Sequence, residues 1–364
     1  MDITHIIDTL NPEQRNAATQ TDQNLLVLAG AGSGKTRTIV HRIAYLIITG
    51  QAHWHQILAV TFTNKAAHEL RSRVSALLPN QRQSGLWTGT FHSICHKMLR
   101  IHATSLNMDP NFQVIDTDDQ LRIIKKIHNS LQLDEQQWPP KKSLSYINQM
   151  KEQGLRSEKC YSDQNVFLQN QSEIYKSYEE HCHTNNLVDF AELLLKTCEM
   201  LEEQETIRWQ YQMQFKHILV DEFQDTNKLQ YKLLKLLNHA EQRIVAVGDD
   251  DQSIYSWRGA VVDHMFSFEN DFAPVETVRL EQNYRSTQSI LTAANQMISH
   301  NSQRLSKELW TDNKQDNKIK LYSAYNETDE AQFVCDQILD LMQNIGFQED
   351  TPIQSPLLNQ SLES

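Results

Sequence analysis

The sequence predicts an α/β fold: a parallel sheet with helices on both faces, a helical insertion, and the opening of a second α/β domain. Three observations carry this. Apolar runs of strand length alternate with helical stretches over residues 25–90, the order of a parallel βαβ sheet. Strand signals fade from about Phe91 to Gln214 and return at Ile218–Val220 and Ile244–Val247. A Gly-rich turn, Gly30 to Gly34, joins the first apolar run directly to a helix. At 364 residues the chain has room for two or three domains of about 150 residues each.

Each element has its own signal. Asn11 can cap a helix, Pro12 suits its first position, and Gln14 stands third. Leu25–Ala29 reads as a short buried strand, and Lys35–Ile48 as the helix after the Gly-rich turn. Leu58–Phe62 is a second strand, Lys65–Leu78 a helix, and Leu86–Thr90 a weaker third strand. In the insertion, Asp118–Leu131 and Asn170–His183 have helical spacing, and Pro139-Pro140 is a break. Lys318–Tyr322 is expected to begin another strand, and Asp329–Met342 to be helical. The expected domains are 1–90 with 215–281, the insertion 91–214, and the opening of a second domain at 282–348. Residues 349–364, with prolines and serines, are expected to be a poorly ordered tail.

Composition excludes some classes. No run approaches the ~20 apolar residues of a membrane span. Asp2 and Asp8 spoil a signal-peptide layout, and five sparse cysteines suit a reducing, cytoplasmic setting. The net charge of −12 argues, taken whole, against a polyanion partner. Residues 1–110, however, carry +4, so a phosphate-binding face is expected there. His181-Cys182-His183 makes an improbable metal site, because consecutive helical residues diverge by about 100°.

Ala29-Gly30-Ala31-Gly32-Ser33-Gly34-Lys35-Thr36, between a strand and a helix, reads as a P-loop. Its backbone N–H groups would converge on phosphate oxygens at a helix N-terminus. Lys35 would reach the outer phosphates and Thr36 would hold Mg²⁺. Ile218-Leu219-Val220-Asp221-Glu222 supplies the matching carboxylates, Asp221 for Mg²⁺ and Glu222 for the attacking water.

Asp221-Glu222-Phe223-Gln224-Asp225 also carries a family resemblance. The chain resembles the superfamily 1 DNA helicases of the UvrD/Rep/PcrA group, with further motif likenesses in order. These are Asn11-Pro12-Glu13-Gln14 (the Q motif), Thr61 to Ala67 (Ia), Gly89 to Ser93 (Ib), Val247 to Ala260 (III) and Gln282 to Ser286 (IV). The stretch Leu133 to Pro140 points to the UvrD branch rather than the Rep branch. The resemblance implies two RecA-like P-loop domains, the second only partly present, with ATP and Mg²⁺ as cofactors. It implies 3′-to-5′ movement on single-stranded DNA, splitting of 3′-tailed duplex, and repair proteins as partners.

Residue by residue, the resemblance puts Gln14 and Tyr284 at the adenine, with Gln252 sensing the γ-phosphate and Arg285 as arginine finger. Composition alone would favour Gln14 in a capping box with Asn11. Arg37 is expected beside the nucleotide. Phe62, Tyr255 and Trp257 would stack on bases, and Thr63, His92 and Arg258 would lie near the DNA backbone. Motifs V and VI do not appear, and relatives are expected to be about twice as long. The alternative is therefore an ATP- and DNA-binding fragment with weak ATP binding and no unwinding.

Overall fold

The computed structural model describes residues 3–79, 85–160, 166–255, 259–301, 304–305, 307–313 and 318–344. They fall into two compact units, residues 1–315 and 316–364.

The first unit is built on six parallel strands: β1 (Asn24–Ala29), β2 (Ile57–Val60), β3 (Trp87–Gly89), β6 (His217–Val220), β7 (Arg243–Gly248) and β8 (Val275–Leu280). Two short parallel strands, β4 (Gln113–Ile115) and β5 (Leu187–Asp189), pair apart from it. The large sheet runs β3-β2-β6-β7-β1-β8. β1 lies between β7 and β8 and is buried along its whole length, as its unbroken apolar run requires. Its side chains alternate between two cores. Leu25, Val27 and Ala29 join Ile39 and Ile43 of the helix Lys35–Ile48, while Leu26 and Leu28 face the other side. That second core takes in Met98 from Phe91–His102, Leu194 from Phe190–Glu203 and Leu234 from Lys228–Leu237.

A third core, from Ile115 to Cys182, holds the helices Thr117–Ser130, Pro140–Glu152 and Val166–Thr184 together without the large sheet. The helices Phe91–His102 and Phe190–Glu203 lie in sequence within the expected insertion but pack into the sheet's core. Among the described residues no helix is long and apolar enough to cross a membrane.

One strand gave no signal in the sequence, and one strand expectation needs correction. β8 had no clear signal because it is an edge strand, so Glu276 and Arg279 interrupt the apolar pattern. Lys318–Tyr322 pairs with no strand among the described residues, and Leu321 is 96% exposed. A strand forms only where a neighbouring strand pairs its backbone groups, and an exposed segment can satisfy them with water. Here, within the second unit, it leads into a helix instead. The Tyr322 ring stacks on Phe333 of Glu327–Asn344 at 3.8 Å and its hydroxyl donates to Asp329 Oδ1 at 3.0 Å. The expected tail, 349–364, lies outside the described residues.

Candidate functional site

All six strands of the large sheet are parallel, so their carboxyl ends share one edge. The loops there carry nearly every site residue expected from the sequence. This is where an open α/β sheet gathers a ligand site.

The loop after β1 is shaped by glycine. Gly32 and Gly34 have φ of 74° and 90°, in the left-handed region. A methyl group on Gly34 would lie 2.6 Å from Gln14 Nε2, and one on Gly32 would lie 2.8 Å from Asn283 Nδ2. Gly30 is covered by the Leu309 side chain. Ala31 is exposed, and Ser33 is buried with its hydroxyl donating to Gly30 O at 2.8 Å. Lys35 and Thr36 occupy the first turn of the following helix, where the free N–H groups and the dipole favour an anion.

A Gly34→Ala substitution separates two effects. Left-handed strain costs about 1–2 kcal/mol for a non-glycine residue. Gly50, with φ of 72° and nothing within 4 Å of an added methyl, pays the strain alone. Both alanines should therefore lower Tm, but only Gly34→Ala should weaken nucleotide binding, at least tenfold by fluorescence titration. Equal nucleotide affinities for the two variants would refute the cradle.

Gln14 is buried and bound at both ends. Its Oε1 accepts from Asn11 N at 3.3 Å while Asn11 Oδ1 accepts from Gln14 N at 2.7 Å, a complete capping box. Its Nε2 donates to Ser33 O at 2.8 Å. In this state Gln14 braces the phosphate loop. Asn11 Nδ2 also donates to the Tyr284 hydroxyl at 2.9 Å, which brings Tyr284, 54% exposed, beside the Q-motif residues. Arg37 points to the preceding segment, donating to Thr9 O at 2.7 Å.

The carboxylates lie after β6. Glu222 has φ of 51°, which turns the chain sharply away from Asp221. Lys35 Nζ lies 3.4 Å from Glu222 Oε2. Burial, then the neighbouring Glu222, pushes the Asp221 carboxyl up to about 7 against the pull of Lys35. The same two causes push Asp225 up to about 6, and its Oδ1 is buried without a hydrogen-bond partner. Three carboxylates thus crowd around Lys35. This excess of negative charge is of the kind a divalent cation offsets.

Gln224 links this cluster to the loop after β7. Its Nε2 donates to Glu222 Oε2 at 2.8 Å, and its Oε1 accepts from Asp249 N at 3.0 Å. Gln252 Nε2 in turn donates to Asp249 Oδ2. After β8, Asn283 fastens the chain over the phosphate loop. It donates to Ala31 O at 2.6 Å and accepts from the N–H of Arg285 at 2.8 Å, while Tyr284 N donates to Gly32 O at 2.9 Å. Arg285 is thereby set above Gly32. Gln224 and Asn283 lie within the motifs, but their links to Asp249 and Ala31 come only from the fold.

The other half of the edge is aromatic. Phe62 follows β2, is 37% exposed, and stacks on Tyr255 at 4.9 Å between centroids. Thr63 caps Asn64–Leu77, its hydroxyl accepting from Ala66 N at 3.1 Å. His92 lies in the first turn of Phe91–His102, and burial lowers its pKa, which favours the uncharged ring. Phe190, 53% exposed, meets the His92 ring edge-on at 5.9 Å and extends the aromatic surface. It escaped sequence reasoning because it lies outside the motifs. Trp257 and Arg258 lie outside the described residues.

Residues 10–273 match the family model of the UvrD/REP helicase N-terminal domain, and residues 278–354 match the UvrD-like helicase C-terminal domain. The chain is 48% identical over 346 residues to DNA helicase II of Escherichia coli (strain K12), covering 95% of this chain and 48% of that protein. It is 47% identical to DNA helicase II of Salmonella typhimurium, with the same coverage. It is 42% identical over 336 residues to the ATP-dependent DNA helicase PcrA of Staphylococcus epidermidis (strain RP62A), covering 92% of this chain and 46% of that protein. The chain spans about half the length of these curated relatives.

Proposed function

The chain belongs to the UvrD/Rep helicase family, and from that premise we propose that it supplies the ATP cleft and an aromatic DNA ledge of a motor moving 3′-to-5′ on single-stranded DNA. One observation carries the reading: a P-loop with matching carboxylates and a stacked aromatic pair, its Phe62 ring exposed, share one sheet edge, joined by the loops after β6 and β7.

Lys35 would bind the outer phosphates, which requires it to leave Glu222. Mg²⁺ held by Thr36 and Asp221 would neutralise phosphate charge. Glu222, released and still held by Gln224, would orient the water and take its proton. Arg285 would stabilise charge on the transferring phosphoryl group, and Tyr284 would stack on adenine. Gln252 stands three residues before Tyr255, so a change at the phosphate would move the ledge that grips bases. Thr63, His92, Trp257 and Arg258 would complete the DNA contacts. DNA repair, with repair proteins as partners, is the setting we infer. The five free cysteines suit a cytoplasmic one.

Coupling is the direct test. ATP–Mg²⁺ and oligo-dT should each tighten binding of the other by the same factor. Independent affinities would sink the motor reading, and faster displacement of 5′-tailed than 3′-tailed duplex would sink the polarity. The ledge has its own test. Phe62→Ala should weaken oligo-dT binding by ~1–3 kcal/mol, the worth of one stacked base. The half-exposed ring contributes little to the core, so Tm should hold. A lowered Tm with unchanged DNA affinity would make Phe62 a core residue.

A further inference from the structure

After the helix Gln288–Ile298 the chain returns to the sheet edge, and Trp310 fixes it there. Trp310 N donates to Glu281 O at 3.1 Å and its carbonyl accepts from Asn283 N at 2.7 Å. Just before it, Lys307 is 7% exposed and enters the loop after β7. Its Nζ lies 2.6 Å from Asp249 Oδ1, 2.8 Å from Asp250 Oδ1 and 2.8 Å from Asp251 Oδ2. Arg304 adds a 2.7 Å bond to Asp251 Oδ2, and Leu305 N donates to Asp250 Oδ2 at 2.8 Å.

The three consecutive aspartates have the spacing of a cation site. The chain's own ammonium fills it. Burial alone would lower the Lys307 pKa, but Asp249 and its neighbours more than offset this and hold it above its ordinary value. Asp249 then makes two further links. Its Oδ2 accepts from Gln252 Nε2, and its N–H donates to Gln224 Oε1, whose amide holds Glu222. Lys307 is therefore one residue removed from the side chain assigned to the γ-phosphate and two from that assigned to the water.

We propose that Lys307 is a positioning residue for γ-phosphate recognition, tethering the Asp249–Gln252 loop so that Gln252 and Glu222 face the phosphate loop together. This rests on the nucleotide reading above. Arg304 supports the tether from its rim.

The test uses the whole chain in four forms: wild type, Lys307→Met, Lys307→Arg and Arg304→Gln. Hydrogen exchange without nucleotide reads the tether. In Lys307→Met the amides of residues 249–253 should exchange at least tenfold faster, with β1 and β6 unchanged. Titration with ADP and with the β,γ-imido analogue of ATP, both with Mg²⁺, reads the function. The preference for the analogue should fall at least tenfold in Lys307→Met with ADP affinity kept, and Lys307→Arg should restore most of it. A merely structural lysine would weaken both nucleotides alike. Unchanged exchange, or a retained preference, overturns the proposal. If Lys307→Met does not fold, Arg304→Gln decides by the same readouts, with smaller changes in the same direction. Failure of wild type to bind either nucleotide would sink the ATP reading alone. The exchange data would still uphold or overturn the tether.

Discussion

Glu222→Gln should leave ATP–Mg²⁺ affinity within threefold of wild type and lower the chain's ATP turnover at least a hundredfold. In the proposed mechanism Glu222 is the general base. Its backbone is in the left-handed region at φ 51°, a conformation that a non-glycine residue holds only where its surroundings enforce it. Asp221 Oδ1 accepts from Glu222 N at 3.1 Å, and Gln224 donates to the side chain. A glutamine keeps the size and can still accept from Gln224, so the loop should survive. What disappears is the ability to take a proton, worth typically 10²–10⁴-fold. The Lys35 contact at 3.4 Å sharpens the expectation. Removing the charge frees Lys35 from a competitor, so binding should hold or tighten while hydrolysis falls. Phosphate release under single-turnover conditions and nucleotide titration measure the two separately. Turnover within threefold of wild type would remove Glu222 from the chemistry.

The glycine turn and the paired carboxylates were legible because their physics is local. Two glycines with positive φ, a lysine and threonine opening a helix, and a strand ending in two carboxylates each lie within one loop. β1 was legible for the same reason, since a strand buried on both faces must be apolar throughout. What failed depended on distant partners. β8 looks polar because it is an edge strand. Asn283 reads as an ordinary polar residue until it is seen to fasten on Ala31, 252 residues away. Lys307 reads as a surface lysine until Asp249 surrounds it. Gln14 shows the middle case. Its local signal, the capping box, is present, and its second bond, to Ser33, comes from the fold.

Lys151→Met should cost about 3–5 kcal/mol of stability, the largest loss expected from one substitution here. Lys151 is 1% exposed, with Nζ 2.7 Å from Asp189 Oδ2 and 2.8 Å from Glu192 Oε2. Glu192 also takes two bonds from Arg156, and Asp189 caps Phe190–Glu203 while accepting from the Tyr178 hydroxyl at 2.9 Å. The network joins the third core, through Tyr178, to a helix of the sheet's core. Removing the ammonium leaves two buried carboxylates short of a cation, which is why one missing partner costs more than losing the set. Lys151→Met combined with Asp189→Asn and Glu192→Gln should accordingly recover at least half of the loss. Burial pushes the Glu192 carboxyl up, but Lys151 and Arg156 more than offset it and hold it below its ordinary value. A depressed carboxyl contributes stability above its ordinary pKa and loses it as pH falls through the folded value. Without Lys151 the offset shrinks, so the variant should lose less through Glu192 on acidification, and its deficit against wild type should narrow as pH falls. Urea melts across pH 3 to 7 measure both effects. A Lys151→Met variant within 1 kcal/mol of wild type, with a deficit that does not change with pH, would mean that packing rather than this network joins the two cores.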